Sequence, residues 1–301
     1  DRVGTHSVME ALSRGLSPAQ SSQFLRDGYL VLAGGLSPND LEPFIDEITA
    51  VLDKEACEVQ KQGRLPDLFE DQPFETRLAR IIDAVDDGSQ IKRAVTGKHL
   101  KTAGLFAIIT QKAILDTVES VIGPELLAHP QYNLQAKMPM ESRSEIPWHQ
   151  DLAFLEPEAA QTSMVNFWIP LVDTTVDNGC LEVIEGSHLE GLKEHVQIAG
   201  YPDGHIGIRE EDLPAGRRLA CPARRGDVVV FQHKTIHRSY PNRTSRIRWS
   251  LDIRYCAPAM PTGRDVPGLL VRSKSHPEKV AVSHLEWLDL MKAVPNQPYL
   301  C

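Results

Sequence analysis

Arg246-Ile247-Arg248-Trp249-Ser250-Leu251-Asp252-Ile253-Arg254-Tyr255 alternates without a break between polar or charged and apolar side chains. A period of two marks a β-strand, so Arg246, Arg248, Ser250, Asp252 and Arg254 share one face while Ile247, Trp249, Leu251, Ile253 and Tyr255 share the other. An arginine on the inner face of a barrel needs an anionic partner, because an unpaired buried charge is costly. Bidentate capture of a ligand carboxylate meets that need, and Arg248 is the candidate.

The same period runs outward from this strand. From Gln131 onward Asn133, Gln135 and Lys137 fall on one face and Leu134, Ala136 and Met138 on the other. Further strands are expected at 162–171, 180–184, 218–220 and 227–232; Asn178-Gly179 is a hairpin signal, and Arg225-Gly226-Asp227 turns into the run Val228-Val229-Val230-Phe231. Many short strands joined by turns predict a mainly β, jelly-roll (cupin-like) core over about 130–256.

Before the core, helices are expected from Ser17-Pro18 to Phe24, from Ser37-Pro38 onward, at 75–85 and at 110–122, with a strand at 28–32. Leu41, Ile45, Ile48, Val51 and Leu52 recur at helical spacing and read as a packing stripe. The stretch 189–222 is an insertion between strands, rich in Gly, Pro and charge, of the kind that serves as a lid or binding loop. The chain reads as a single domain of 301 residues with helical decoration over about 17–125 and a tail, 257–301, that carries no legible motif.

The formal net charge of -9 argues against a broad nucleic-acid footprint, and no segment has the length and apolarity of a membrane helix. A small-molecule substrate is expected, with neither nucleic acid nor membrane as a partner. Five cysteines, odd in number and widely spaced, read as reduced thiols of a cytoplasmic protein. The start at Asp1, without a basic and then apolar leader, reads as a trimmed amino terminus.

His149-Gln150-Asp151 supplies the chemistry. In an extended segment residues two apart point the same way, so His149 and Asp151 converge while Gln150 points away. His237, just beyond the 228–232 run, is the candidate third ligand, and Arg248 follows it by eleven residues on the next strand. Two imidazoles and one carboxylate cover one face of an octahedral ferrous ion and leave three positions for an oxidisable co-substrate and O2. Ser239, two residues after His237, is placed to give a second hydrogen bond to the carboxylate on Arg248. His233 competes with His237 for the ligand role; the spacing to Arg248 and Ser239 favours His237. His188, at the end of Glu185-Gly186-Ser187-His188, reads as structural.

The chain resembles the phytanoyl-CoA dioxygenase family of Fe(II)/2-oxoglutarate oxygenases. The resemblance rests on Pro147-Trp148-His149-Gln150-Asp151, on Asn178-Gly179-Cys180-Leu181-Glu182-Val183-Ile184-Glu185-Gly186-Ser187-His188, on Arg225-Gly226-Asp227-Val228 through His237, Ser239 and Arg248, and on Phe24-Leu25-Arg26-Asp27-Gly28-Tyr29-Leu30-Val31-Leu32. It implies a double-stranded β-helix, Fe(II) on His149, Asp151 and His237, and 2-oxoglutarate on Arg248 and Ser239, with Trp168 and Gln135 beside the co-substrate. Asn133, Lys137, Met164 and Asn166 are then expected to line the substrate pocket. The implied reaction is hydroxylation of an unactivated C–H bond of a small metabolite or natural-product intermediate, consuming O2 and releasing succinate and CO2. Family halogenases lack the carboxylate that Asp151 provides, so halide chemistry is not expected. The competing class is a cupin-like metal-binding protein or isomerase without oxygen chemistry. A zinc hydrolase leaves Arg248 without a role.

Overall fold

Two serine-proline pairs start the helical part. Ser17 caps α1 (Pro18–Asp27) and Ser37 caps α2 (Pro38–Lys61), each in a capping box with Gln20 or Asp40 and each with proline in the first turn. In α1 the helix stops at Gly28, whose φ of 82° is left-handed and beside which an added Cβ would lie 2.3 Å from the His188 ring. That stop feeds β1 (Tyr29–Leu32) directly into a sheet. The computed structural model describes residues 15–140, 146–201 and 206–292.

The expected helices are present as α2, α3 (Phe74–Asp83) and α6 (Lys112–Ile122), and two short ones not read from the sequence, α4 (Ser89–Ala94) and α5 (Ala103–Ile109), lie between them. Leu41, Ile45, Ile48 and Leu52 of α2 are buried, as the stripe required.

Next come β2 (Leu126–Ala128), β3 (Asn133–Lys137), β4 (Ile146–His149), β5 (Val165–Pro170) and β6 (Leu181–Ile184). They are followed by β7 (Val196–Gln197), β8 (Ile206–Gly207), β9 (Arg218–Cys221), β10 (Val228–Gln232), β11 (His237–Ser239), β12 (Arg248–Cys256) and β13 (Leu269–Arg272). The major sheet runs β1-β10-β5-β12-β2-β13, with β3 also paired to β12, and the minor sheet runs β4-β11-β6-β9. All strand ladders among the described residues are antiparallel, as a jelly roll requires.

Strand parity sorts the core into two layers. Phe167, Ile169, Val228, Val230, Trp249, Leu251, Ile253 and Tyr255 face the helices, whereas Trp168, Val229 and Phe231 turn inward and pack with Leu181 and Val183 of the minor sheet. β10 is therefore apolar on both faces, which explains its unbroken Val-Val-Val-Phe run. Arg246, placed by alternation on the inner face, is exposed and lies before the first residue of β12.

The insertion is partly structured. It forms the β7-β8 hairpin and then supplies β9, the edge of the minor sheet. The tail, unread in the sequence, is also built into the fold: β13 pairs with β2, and α7 (His284–Lys292) sets Trp287 edge-on to Tyr132 at 5.3 Å.

Candidate metal centre

His149 is the last residue of β4, and its Cα partner across the ladder is His237, the first residue of β11. Their rings lie 4.2 Å apart. Each Nδ1 faces a backbone carbonyl two residues earlier, Pro147 O at 2.8 Å and Thr235 O at 3.0 Å. A carbonyl only accepts, so each Nδ1 carries the hydrogen and each Nε2 keeps its lone pair for a metal. One ligand atom from each of His149, Asp151 and His237 lies within 4.8 Å of the others, and all three residues are buried. His233, buried as well, is outside this cluster.

Asp151 arrives by a different route from the one its spacing suggests. β4 ends at His149, and Asp151 opens a short 3-10 turn, Asp151–Phe154, pinned by Leu152 N donating to His233 O at 3.1 Å. The carboxylate is held from behind: Arg254 donates from Nη2 at 3.0 Å and from Nε at 3.2 Å, and Asn166 donates from Nδ2. Burial alone favours the acid form, but Arg254, His237 and His149 outweigh it and hold the carboxyl below its usual range. Burial and the nearby His237 push His149 down to about 3, and burial lowers His237 too. Two neutral imidazoles and an ionised carboxylate on one wall fit a ferrous ion.

The triad opens on a cavity of about 260 Å³ between the sheets. Arg248 forms its floor, fully buried, donating from Nη1 to Ser250 Oγ and lying 5.5 Å from the centroid of the Trp168 ring. Its Nε has no hydrogen-bond partner among the described residues, and burial pushes its pKa down to about 10. Arg248, Ser239, Gln135, Trp168 and Asn133, each expected from the sequence, all line this cavity. Gln135 donates to Asp252 Oδ2 at 3.1 Å, and burial raises Asp252 to about 7.

Three expected pocket residues lie elsewhere. Met164 precedes β5, outside the reach of strand parity, and packs with Leu152, Ala159 and Cys256. Asn166 is on the inward face but sits behind Asp151, spending its amide on that carboxylate. Lys137 is buried and donates to Ser239 Oγ and the Tyr240 carbonyl instead of lining the cavity. Conversely, Lys98, Gln131, Phe154 and Asp252 line it without having been singled out. Parity put Asp252 on the correct face; Lys98 and Phe154 leave the backbone in loop or turn, where no period exists to find them. Arg254, on the same face of β12 as Arg248, is committed to Asp151.

Gln150, facing away from the metal ligands as expected, is wholly buried. Its side-chain amide donates to Gly191 O at 2.8 Å and Lys234 O at 2.7 Å and accepts from Lys193 N at 2.8 Å, while its backbone N–H donates to His195 Nε2 at 2.9 Å. The start of the insertion is thereby fastened to the residue between two candidate metal ligands.

Burial of neutral histidines makes the metal-free protein acid-sensitive. Burial holds His129 and His233 at about 4 and His149 at about 3, all below 6.5. The unfolded chain binds protons there that the folded chain refuses, so this stability is present above about pH 6.5 and is lost as pH falls towards 4. Asp252, raised to about 7 by burial, works in the opposite sense and keeps one proton in the folded state. For these four groups together the uptake on unfolding near pH 5 is about two protons, which is roughly 3 kcal/mol per pH unit. Melting temperatures of the metal-free protein measured from pH 7 to pH 4 should fall steeply, and a flat profile would contradict these assignments.

Comparison with known proteins agrees with this geometry. The profile of the family described as Phytanoyl-CoA dioxygenase (PhyH) matches residues 24–250. Phytanoyl-CoA dioxygenase domain-containing protein 1 of Bos taurus is 26% identical over 260 residues, covering 77% of this chain and 87% of the relative. L-proline trans-4-hydroxylase of Streptomyces griseoviridis is 29% identical over 252 residues, covering 76% of this chain and 82% of the relative. The solved structure of the non-heme monooxygenase ThoJ, in its apo form, superposes with a TM-score of 0.60 at 25% identity over 91% of this chain and 94% of that chain. With the fold, the buried triad and a family match spanning most of the sequence, the chain belongs to the phytanoyl-CoA dioxygenase family of iron- and 2-oxoglutarate-dependent oxygenases.

Proposed function

We propose that this oxygenase hydroxylates an unactivated C–H bond of a small polar metabolite or natural-product intermediate. The reading is carried by one observation: a ligand triad and a wholly buried arginine, whose Nε has no partner among the described residues, share a single cavity. His149, Asp151 and His237 hold Fe(II). Arg248, backed by the Trp168 ring, takes the distal carboxylate of 2-oxoglutarate, and Ser239 adds a hydroxyl. Bound iron and 2-oxoglutarate supply the activation of O2, with succinate and CO2 as by-products.

The chain's own work is placement. The Pro147 and Thr235 carbonyls fix the imidazole tautomers, and Arg254 with Asn166 fixes the carboxylate. Lys98, Gln131, Asn133, Gln135 and Asp252 give the cavity a polar wall, against which Ile146, Phe154 and Leu181 provide an apolar one. Such a lining selects a molecule with several hydrogen-bonding groups over a long hydrocarbon.

The test is succinate formation by the pure protein with Fe(II), ascorbate, O2 and 2-oxoglutarate, alone and then with panels of amino acids, small organic acids and polar scaffolds. Substrates are expected among the polar members and should raise succinate above the uncoupled rate, with one oxygen atom added to the product. Intact iron binding with no 2-oxoglutarate turnover would sink the reading.

A further inference from the structure

Just outside the cavity lies a second buried cation that neither iron chemistry nor carboxylate capture by Arg248 explains. Lys137 on β3 is the cross-strand partner of Arg248 on β12, so two positive side chains stand next to one another in the protein interior. Like charges directly opposite on a ladder repel, and lysine is among the residues least often buried.

The surrounding chain makes room for this lysine. Gly179, at φ +97°, has no side chain, and a Cβ there would come within 2.8 Å of Lys137 Cδ and 2.6 Å of the Tyr240 carbonyl oxygen. Asn178-Gly179, which reads in the sequence as a turn, also serves as the channel wall along which Lys137 reaches β11. There its Nζ donates to Ser239 Oγ at 2.7 Å and to Tyr240 O at 2.6 Å.

We propose that Lys137 is a positioning residue for the co-substrate, orienting the Ser239 hydroxyl so that its hydrogen points into the cavity beside Arg248. An ammonium group has donors only, so the Ser239 oxygen must accept from it. The single hydroxyl hydrogen is then released for another acceptor, and no described residue takes it. Ser239 lines the cavity and Lys137 does not. The lysine therefore acts through the serine: it converts a rotating hydroxyl into a fixed donor, and its charge strengthens that donor by polarisation. The acceptor is the distal carboxylate of 2-oxoglutarate, so this inference rests on the reading of Arg248 and Ser239 given above.

The experiment is an anaerobic titration of 2-oxoglutarate into the Fe(II)-loaded full chain, followed by its charge-transfer absorption, for wild type, Lys137→Met, Ser239→Ala and the double variant. Each single variant should weaken 2-oxoglutarate binding about tenfold. The double variant should bind no more weakly than the worse single, because both remove the same donor. Fe(II) affinity should be unchanged, and Lys137→Gln, which keeps an amide donor, should recover part of the loss. Lys137→Gln is also the fallback if Lys137→Met does not fold.

Unaltered binding in Lys137→Met would overturn the proposal, as would losses that multiply in the double variant. Lowered melting temperature with wild-type 2-oxoglutarate affinity would make the lysine a structural residue only, which also overturns it. A wild-type protein that holds Fe(II) but never binds 2-oxoglutarate would instead defeat the assignment of Arg248, a result separable from the others.

Discussion

Asp151→Ala is expected to lower succinate formation by more than about 100-fold, since even residues that merely support metal ligands contribute factors of about 10–100. Two losses combine in this variant. The metal loses its one anionic donor, and Arg254, itself buried, loses the carboxylate that receives its Nε and Nη2, keeping only the Nη1 bond to Gln131 O. Breaking a buried pair by removing one partner typically costs roughly 3–5 kcal/mol, so Asp151→Ala should also melt well below the wild type. Asp151→Asn separates the two effects. An amide oxygen still accepts from Arg254, so Asp151→Asn should keep more of the stability while remaining nearly inactive. Iron binding measured by competition with a chelator, alongside thermal melting of both variants, checks this. An active Asp151→Asn would mean that another carboxylate serves the metal, and Asp252 would be the one to examine.

Arg248→Met should leave the iron site intact and raise the 2-oxoglutarate concentration needed for half-maximal turnover by about 100-fold or more. Its effect on the empty protein should have the opposite sense. Burial displaces the pKa of Arg248 from 12.5 to about 10, which corresponds to a cost on the order of 3 kcal/mol for keeping the guanidinium charged inside the fold. Methionine fills much of the same volume without the charge, so the ligand-free variant should melt no lower than the wild type. Adding 2-oxoglutarate with Fe(II) should then stabilise the wild type markedly and the variant hardly at all. A variant that melts early and still binds 2-oxoglutarate normally would reassign Arg248 to the core.

What was legible in the sequence followed from periodicity. Alternation along β12 put Arg248 and Asp252 on the inner face and Trp249, Leu251, Ile253 and Tyr255 against the helices, as found. Capping pairs and the stripe of α2 were equally plain, because they depend on residues within four positions of each other. Contacts between distant segments were not legible. Arg254 and Asp151 are 103 positions apart, and nothing local tells an arginine that will grip a carboxylate on a distant turn from one that will receive a ligand. The convergence of His149 and Asp151 was inferred from extended geometry, yet it is achieved by a strand ending in a turn. Met164 shows the same limit: a period holds only inside the element, and β5 begins one residue later.

Gln150 touches no metal ligand atom, yet it governs how freely the neighbouring chain can change. Its amide reads Gly191, Lys193 and Lys234 only through their backbone groups. Side chains in the inserted segment can therefore vary without loosening that grip, provided the main chain keeps its path past residue 150. His195 is the exception, because its ring accepts the Gln150 N–H. A loop anchored by its backbone can change its side chains while the segment that carries the candidate metal ligands stays fixed.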